Sequence, residues 1–237
     1  MTDLDRDFAY LTGALTGGEA PSSVGVKFTP DGKPLTCRGN TTICHVDQRS
    51  EPFAALVDAQ DLLKAGPLAD GFTFLPPESF HMTIFEGVID YARTTDRWPG
   101  HLSIDADIDT VTEDFATRLH GIGLAQDLAT RPTGIFGGFS VRMSGADQND
   151  EALLRLTRDQ LQAATNLMRP DHDAYEFHIT LAYNLRWFTP DEARSIIALS
   201  DKVGAELTKR VQNIMLGPVE FCTFETMHRF ERRHLIN

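Results

Sequence analysis

The chain has 237 residues, 41% hydrophobic and 24% charged, which fits one large or two small globular domains with a real core. Its net charge is −12, with no Lys/Arg run beyond Arg232-Arg233. That balance excludes the basic surface by which proteins grip a long nucleic acid, though one or two local cations suffice for one small anion. No apolar run approaches a membrane span, and Cys37, Cys44 and Cys222 show no pairing or CxxC spacing that would signal a disulfide framework or a thiolate zinc site.

Taken in order, residues 3–15 carry apolar residues at helical spacing (Leu4, Phe8, Leu11, Leu15) and predict an amphipathic helix closed by Gly17-Gly18. The acidic stretch Met1–Asp7 lacks the basic-then-apolar layout of a signal peptide, so the expected location is the cytoplasm. A strand is expected at 23–29, a turn at Pro30-Asp31-Gly32-Lys33 and a strand at 40–46. Ser50 and Pro52 open a helix that Gly66-Pro67 ends. A strand follows at about 79–86, then a long loop over 88–110 with a short strand at 101–108. Thr112 caps a helix to about 127. Residues 134–143 read as a Gly-punctuated strand, Asn149 caps a helix to about 168, and a strand covers 177–184. Thr189-Pro190-Asp191-Glu192 starts a helix to about 209, and strands at 213–224 and 226–230 finish the chain.

Two of these strands carry the same pattern: Phe80-His81-Met82-Thr83-Ile84-Phe85 and Phe177-His178-Ile179-Thr180-Leu181-Ala182. Alternation on a strand sends Phe80, Met82 and Ile84 to one face and His81, Thr83 and Phe85 to the other. Likewise His178 and Thr180 oppose Phe177, Ile179 and Leu181. The bare pattern is weak, since His101-Leu102-Ser103 also satisfies it. That third match continues into Asp105, Asp107 and Asp109, which would repel a phosphate, and is read as an edge strand or surface loop. The other two differ in position. The order strand, helix, His strand, helix occurs twice, with 38 residues from Ile43 to His81 and 39 from Phe139 to His178. An internal duplication explains the match, with lobes at about 40–127 and 134–226 inside one domain, 1–237, and an N-terminal helix and hairpin as an extension.

The paired His-Met-Thr-Ile and His-Ile-Thr-Leu motifs resemble those of the 2H phosphoesterase superfamily, whose members include RNA ligase-like 2′,5′ enzymes and cyclic nucleotide phosphodiesterases. The resemblance covers about 40–224. It implies an α+β fold of two lobes, antiparallel sheets flanking a central groove with helices outside. It also implies a metal-independent hydrolase without cofactor, with His81, Thr83, His178 and Thr180 in the groove.

The chemistry of the residues agrees. Cleaving a phosphodiester needs a base at the attacking oxygen and an acid at the leaving one, and histidine suits both roles near neutral pH. Threonines on the same face suit the non-bridging oxygens. The expected substrate is a small nucleotide-like or RNA-terminal phosphodiester such as a 2′,3′-cyclic phosphate, with no long nucleic acid and no membrane as partner. The alternative is a catalytically silent nucleotide- or phosphate-binding module. Phe85 is expected to stack on a substrate base, and Arg142, opposite the core face of its strand, to meet a phosphate. Lys27, Arg38 and Arg131 are further cations without positional support. Tyr183 shares the core parity of Leu181 and is not counted in the site.

Overall fold

The computed structural model describes residues 2–236. Its helices begin where the sequence supplies caps. Thr2 with Asp5, and Thr189 with Glu192, form capping boxes for α1 (Asp3–Leu11) and α5 (Pro190–Arg210). Ser50 caps α2 (Glu51–Lys64). Helices α3 (Ile108–Leu119) and α4 (Gln148–Thr165) open on Asp107 and Asp147, earlier than the expected Thr112 and Asn149. In both cases an aspartate carboxylate takes the N–H groups of the first turn. Thr112 is instead buried, accepting from Asn40 Nδ2 at 3.0 Å.

The strands are β1 (Gly39–His45), β2 (Phe72–Phe74), β3 (His81–Ile89), β4 (Ala129–Phe136), β5 (Ser140–Gly145), β6 (His178–Thr180), β7 (Ala182–Asn184), β8 (Ile214–Met215), β9 (Glu220–Thr226) and β10 (Arg229–Leu235). Eight form one curled antiparallel sheet in the order β10-β9-β1-β3-β6-β5-β4-β8, and β2 pairs with β7 apart from it. The α+β class is as expected. The strands of the two expected lobes join in this one continuous sheet, with the His strands β3 and β6 adjacent at its centre.

Several local expectations differ. The strand read over 134–143 is a hairpin, β4–β5, turning at Gly137 (φ 49°) and Gly138 (φ 81°), where two successive positive φ values need glycine. Residues 101–107 form a loop, in which His101 Nε2 meets Asp114 Oδ2 at 2.7 Å. Residues 23–29 make only isolated bridges at Val24 and Phe28. Helix α1 stops at Leu11, short of Leu15.

Helix α4 packs on β3 and β5, α3 on β1 and β9, and α5 on β4. Between helices and sheet lie Met82, Ile84, Val141 and Ile179, all without solvent exposure. Each contributes on the order of 1.5–3 kcal/mol of burial. That holds β3 and β6 flat against the core and leaves their other face free for polar side chains. Among the described residues no helix is long and apolar enough to cross a membrane.

Candidate functional site

Met82 pairs with Ile179 across β3 and β6. In an antiparallel ladder that register sets His81 opposite Thr180 and Thr83 opposite His178, all on one face. These four side chains line one cavity of about 540 Å³. The alternation read in the sequence gives them the same shared face.

Each imidazole is oriented by the chain just before it. His81 Nδ1 lies 2.7 Å from the Ser79 carbonyl, and His178 Nδ1 lies 2.8 Å from the Glu176 carbonyl. A carbonyl can only accept, so Nδ1 carries the proton in both rings and Nε2 is the nitrogen left for chemistry. The surroundings differ. Phe230 of β10 lies 4.2 Å from the His81 ring centroid, and His45, its partner in the β1–β3 register, lies 6.2 Å away. Burial pushes the His81 pKa down from 6.5 to about 4, with the His45 and His178 charges adding to the fall against the upward pull of the Ser79 hydrogen bond. His45 is itself held by Glu220, Nδ1 to Oε2 at 3.2 Å.

After each threonine the alternation breaks. Thr42 pairs with Phe85 while the next residue, Ile43, pairs with Thr83, so β3 carries one extra residue. Ile84 and Phe85 both turn into the core, and Glu86 rejoins the cavity face. In the second strand the Leu181 and Ala182 N–H groups both reach the Phe139 carbonyl, at 2.7 and 3.0 Å. Both side chains are buried, and Tyr183 rejoins the cavity face. The residue five after each histidine is thus a site residue, which strict alternation does not find.

Polar side chains buried beneath the sheet reach the carbonyls at both irregularities, and that of Leu181 also accepts the Leu75 N–H at 2.9 Å. Arg158 of α4 donates to the Ile84 carbonyl at 2.6 Å, and Gln60 of α2 donates to the Leu181 carbonyl at 2.8 Å. Both side chains are fully buried. The Arg158 guanidinium also stacks 3.9 Å from the Tyr175 ring centroid.

Two expected substrate contacts are corrected. Phe85 is 1% exposed and packs in the core, because the extra residue reverses its face. Arg142 is opposite His178 in the β5–β6 register, yet it does not line the cavity. Its guanidinium is paired with the buried Asp7 carboxylate of α1 and lies over the Phe136 ring. Arg38 pairs with Asp109 at 2.6 Å, and Arg131 Nε reaches Ser144 Oγ at 3.3 Å, both away from the cavity.

The charged groups that do line it are Lys27, Glu86, Arg97 and Arg169. Arg169 lies 3.4 Å from Glu86. Tyr10, Tyr91, Tyr175 and Tyr183 supply aromatic walls. Of these, only Lys27 stood out in the sequence as a cation, and Arg97 and Arg169 carried no pattern at all. No cluster of three or more His, Cys, Asp or Glu side chains able to hold a metal ion occurs among the described residues.

The family model described as "2H-phosphodiest: Domain of unknown function (DUF1868)" matches residues 27–134, which include His81 and Thr83. The conserved protein of unknown function ATU0111 from Agrobacterium tumefaciens str. C58 is 32% identical over 98% of this chain and 99% of its own, with a TM-score of 0.92. The chain belongs to the 2H-phosphodiesterase-like family. A second solved structure, TT0787 of Thermus thermophilus, is 18% identical over 78% of this chain and 86% of its own, with a TM-score of 0.39. Comparison with curated proteins finds no match. The likeness to ATU0111 covers nearly the whole chain and so includes both His strands.

Proposed function

We propose that the protein is a phosphoesterase that opens a small phosphodiester, such as a nucleoside 2′,3′-cyclic phosphate, by acid–base catalysis between His81 and His178. The observation that carries this reading is the pairing of His81 with Thr180 and Thr83 with His178 around one cavity, each imidazole presenting Nε2.

His81, held neutral by its surroundings, takes the proton of the attacking water as the water oxygen bonds to phosphorus. His178 gives a proton from Nε2 to the leaving oxygen as its bond to phosphorus breaks, keeping Nδ1–H on Glu176 throughout. Thr83 and Thr180 donate to the non-bridging oxygens, where charge collects. Each histidine supplies on the order of 10²–10⁴-fold. We read the chain as one domain of two pseudo-symmetric lobes, the site lying where β3 meets β6.

The test is turnover of a panel of cyclic and 2′,5′-linked nucleotides in EDTA, alongside His81→Ala and His178→Ala. Turnover that both variants abolish supports the reading. Binding without turnover by the wild type replaces it with a silent phosphate-binding module. Turnover that EDTA removes and a metal restores overturns the mechanism.

A further inference from the structure

The acid–base scheme leaves part of the cavity lining unexplained. Lys27 lies there, half-buried, with its Nζ 5.2 Å from the Tyr183 ring centroid. Among the described residues it makes no ion pair, and neither does Arg97, the other cation of this part of the lining. The remaining lining charges, Arg169 and Glu86, are paired with each other. A protein of net charge −12 therefore keeps two unneutralised cations in one cavity. Burial works against the Lys27 ammonium, but Tyr183, Tyr91 and Cys37 more than offset it, so the group is held in its charged form.

The surroundings match an oxyanion. The phenols of Tyr91 and Tyr183 and the hydroxyls of Ser22 and Ser23 line the same space as Lys27, although Tyr183 donates to Met227 Sδ at 3.6 Å and Ser23 to the Asn184 carbonyl at 3.5 Å. Burial raises the Tyr91 phenol, against the pull of the Lys27 and Arg97 charges in the same cavity lining. Tyr183 lies three residues beyond Thr180 on the same run of chain. Three residues of extended chain put it at most about 10 Å from the threonine. One nucleoside spans a distance of that order.

We propose that Lys27 and Arg97, with Tyr91 and Tyr183, form a second anion subsite that binds a distal phosphoryl group of the substrate. The substrate class is then a phosphodiester carrying a further terminal phosphate about one nucleoside away, as in a 5′-phosphorylated nucleoside 2′,3′-cyclic phosphate. This rests on the proposed function for the position of the scissile phosphate. Two cations with the Tyr91 and Ser22 hydroxyls suit a phosphate dianion better than a single carboxylate.

Calorimetric binding of nucleoside 3′,5′-bisphosphate and nucleoside 3′-monophosphate tests the subsite without requiring turnover. The wild type is expected to favour the bisphosphate by about tenfold or more, as charge-assisted contacts of this kind provide. In Lys27→Met and in Arg97→Met that ratio is expected to fall towards one. Arg97 is exposed, so its variant reports even if Lys27→Met does not fold. Equal affinities in the wild type, or a ratio that neither variant changes, overturns the subsite. Preference for the bisphosphate without turnover of any cyclic substrate leaves the subsite standing and removes the catalytic reading. Turnover without the preference does the reverse.

Discussion

Met82 and Ile179 face each other at the centre of the sheet, where β3 pairs with β6. That register alone gives each histidine the other strand's threonine as its cross-strand neighbour. The catalytic proposal therefore treats the threonines as equivalent. Thr83→Val and Thr180→Val are each expected to lower kcat by about 10²–10³-fold with little change in thermal stability, since neither hydroxyl holds the fold. A steady-state comparison of the two variants decides it. Loss in one alone would mean that a single hydroxyl meets the charged oxygens.

The low pKa of His81 sets the pH behaviour. Two ordinary histidines would put both limbs of the rate profile near 6.5, whereas burial of His81 is expected to move its limb of kcat/KM to about 4. Removing the ring that covers it, as in Phe230→Ala, is expected to shift that limb upward. NMR titration of the His81 ring reads the same shift directly.

The same group links pH to stability. The folded pKa is depressed, so between about 4 and 6.5 the unfolded chain binds the proton more readily. The stability that neutral His81 contributes is complete above 6.5 and is lost as pH falls through that window, roughly 3 kcal/mol in all. Urea unfolding at pH 7 and pH 4.5 should show this loss in the wild type and a smaller one in His81→Gln. Equal losses in both would mean that other groups govern the acid side.

Asp7 holds Arg142 and also accepts the Gly137 N–H at 3.1 Å, tying α1 to the β4–β5 turn. Its side chain is 6% exposed. Asp7→Ala leaves a partly buried guanidinium without its partner and is expected to cost about 2–4 kcal/mol. Arg142→Met, which removes the charge along with the pair, is expected to cost less. The urea midpoints of the two variants rank them.

Phe85 belongs to the core, so Phe85→Leu should lower stability by about 1–3 kcal/mol and leave KM within about twofold. A KM that rises with unchanged stability would return this ring to the substrate.

The four central side chains were legible because two strands keep strict alternation over His-x-Thr and anchor it with Met82 and Ile179. The residues beyond them were not. One extra residue in each strand reverses the faces, which misassigned Phe85 and hid Glu86 and Tyr183. No local pattern encodes such a bulge when the residues that stabilise it, Arg158 and Gln60, lie on helices distant in sequence. Arg142 was placed on the right face of its strand, but its charge was already taken by Asp7, 135 residues earlier. Lys27, Arg97 and Arg169 lie in segments without regular periodicity. Helix starts are legible where Ser or Thr supplies the cap and shift where an aspartate does so first, while α1 and α3 both stop short of their expected C-termini.

The two bulges have a directional consequence. The His and Thr positions repeat on both strands, but the His81 ring alone lies against Phe230 and His45, so the two sides of the cavity already differ at its centre. Five residues after each histidine the likeness stops, with Glu86 on one side and Tyr183 on the other. On the proposed chemistry, a phosphodiester bound here is expected to take one orientation, with the same ester oxygen facing His178. Ring opening of a cyclic phosphate would then release a single positional isomer.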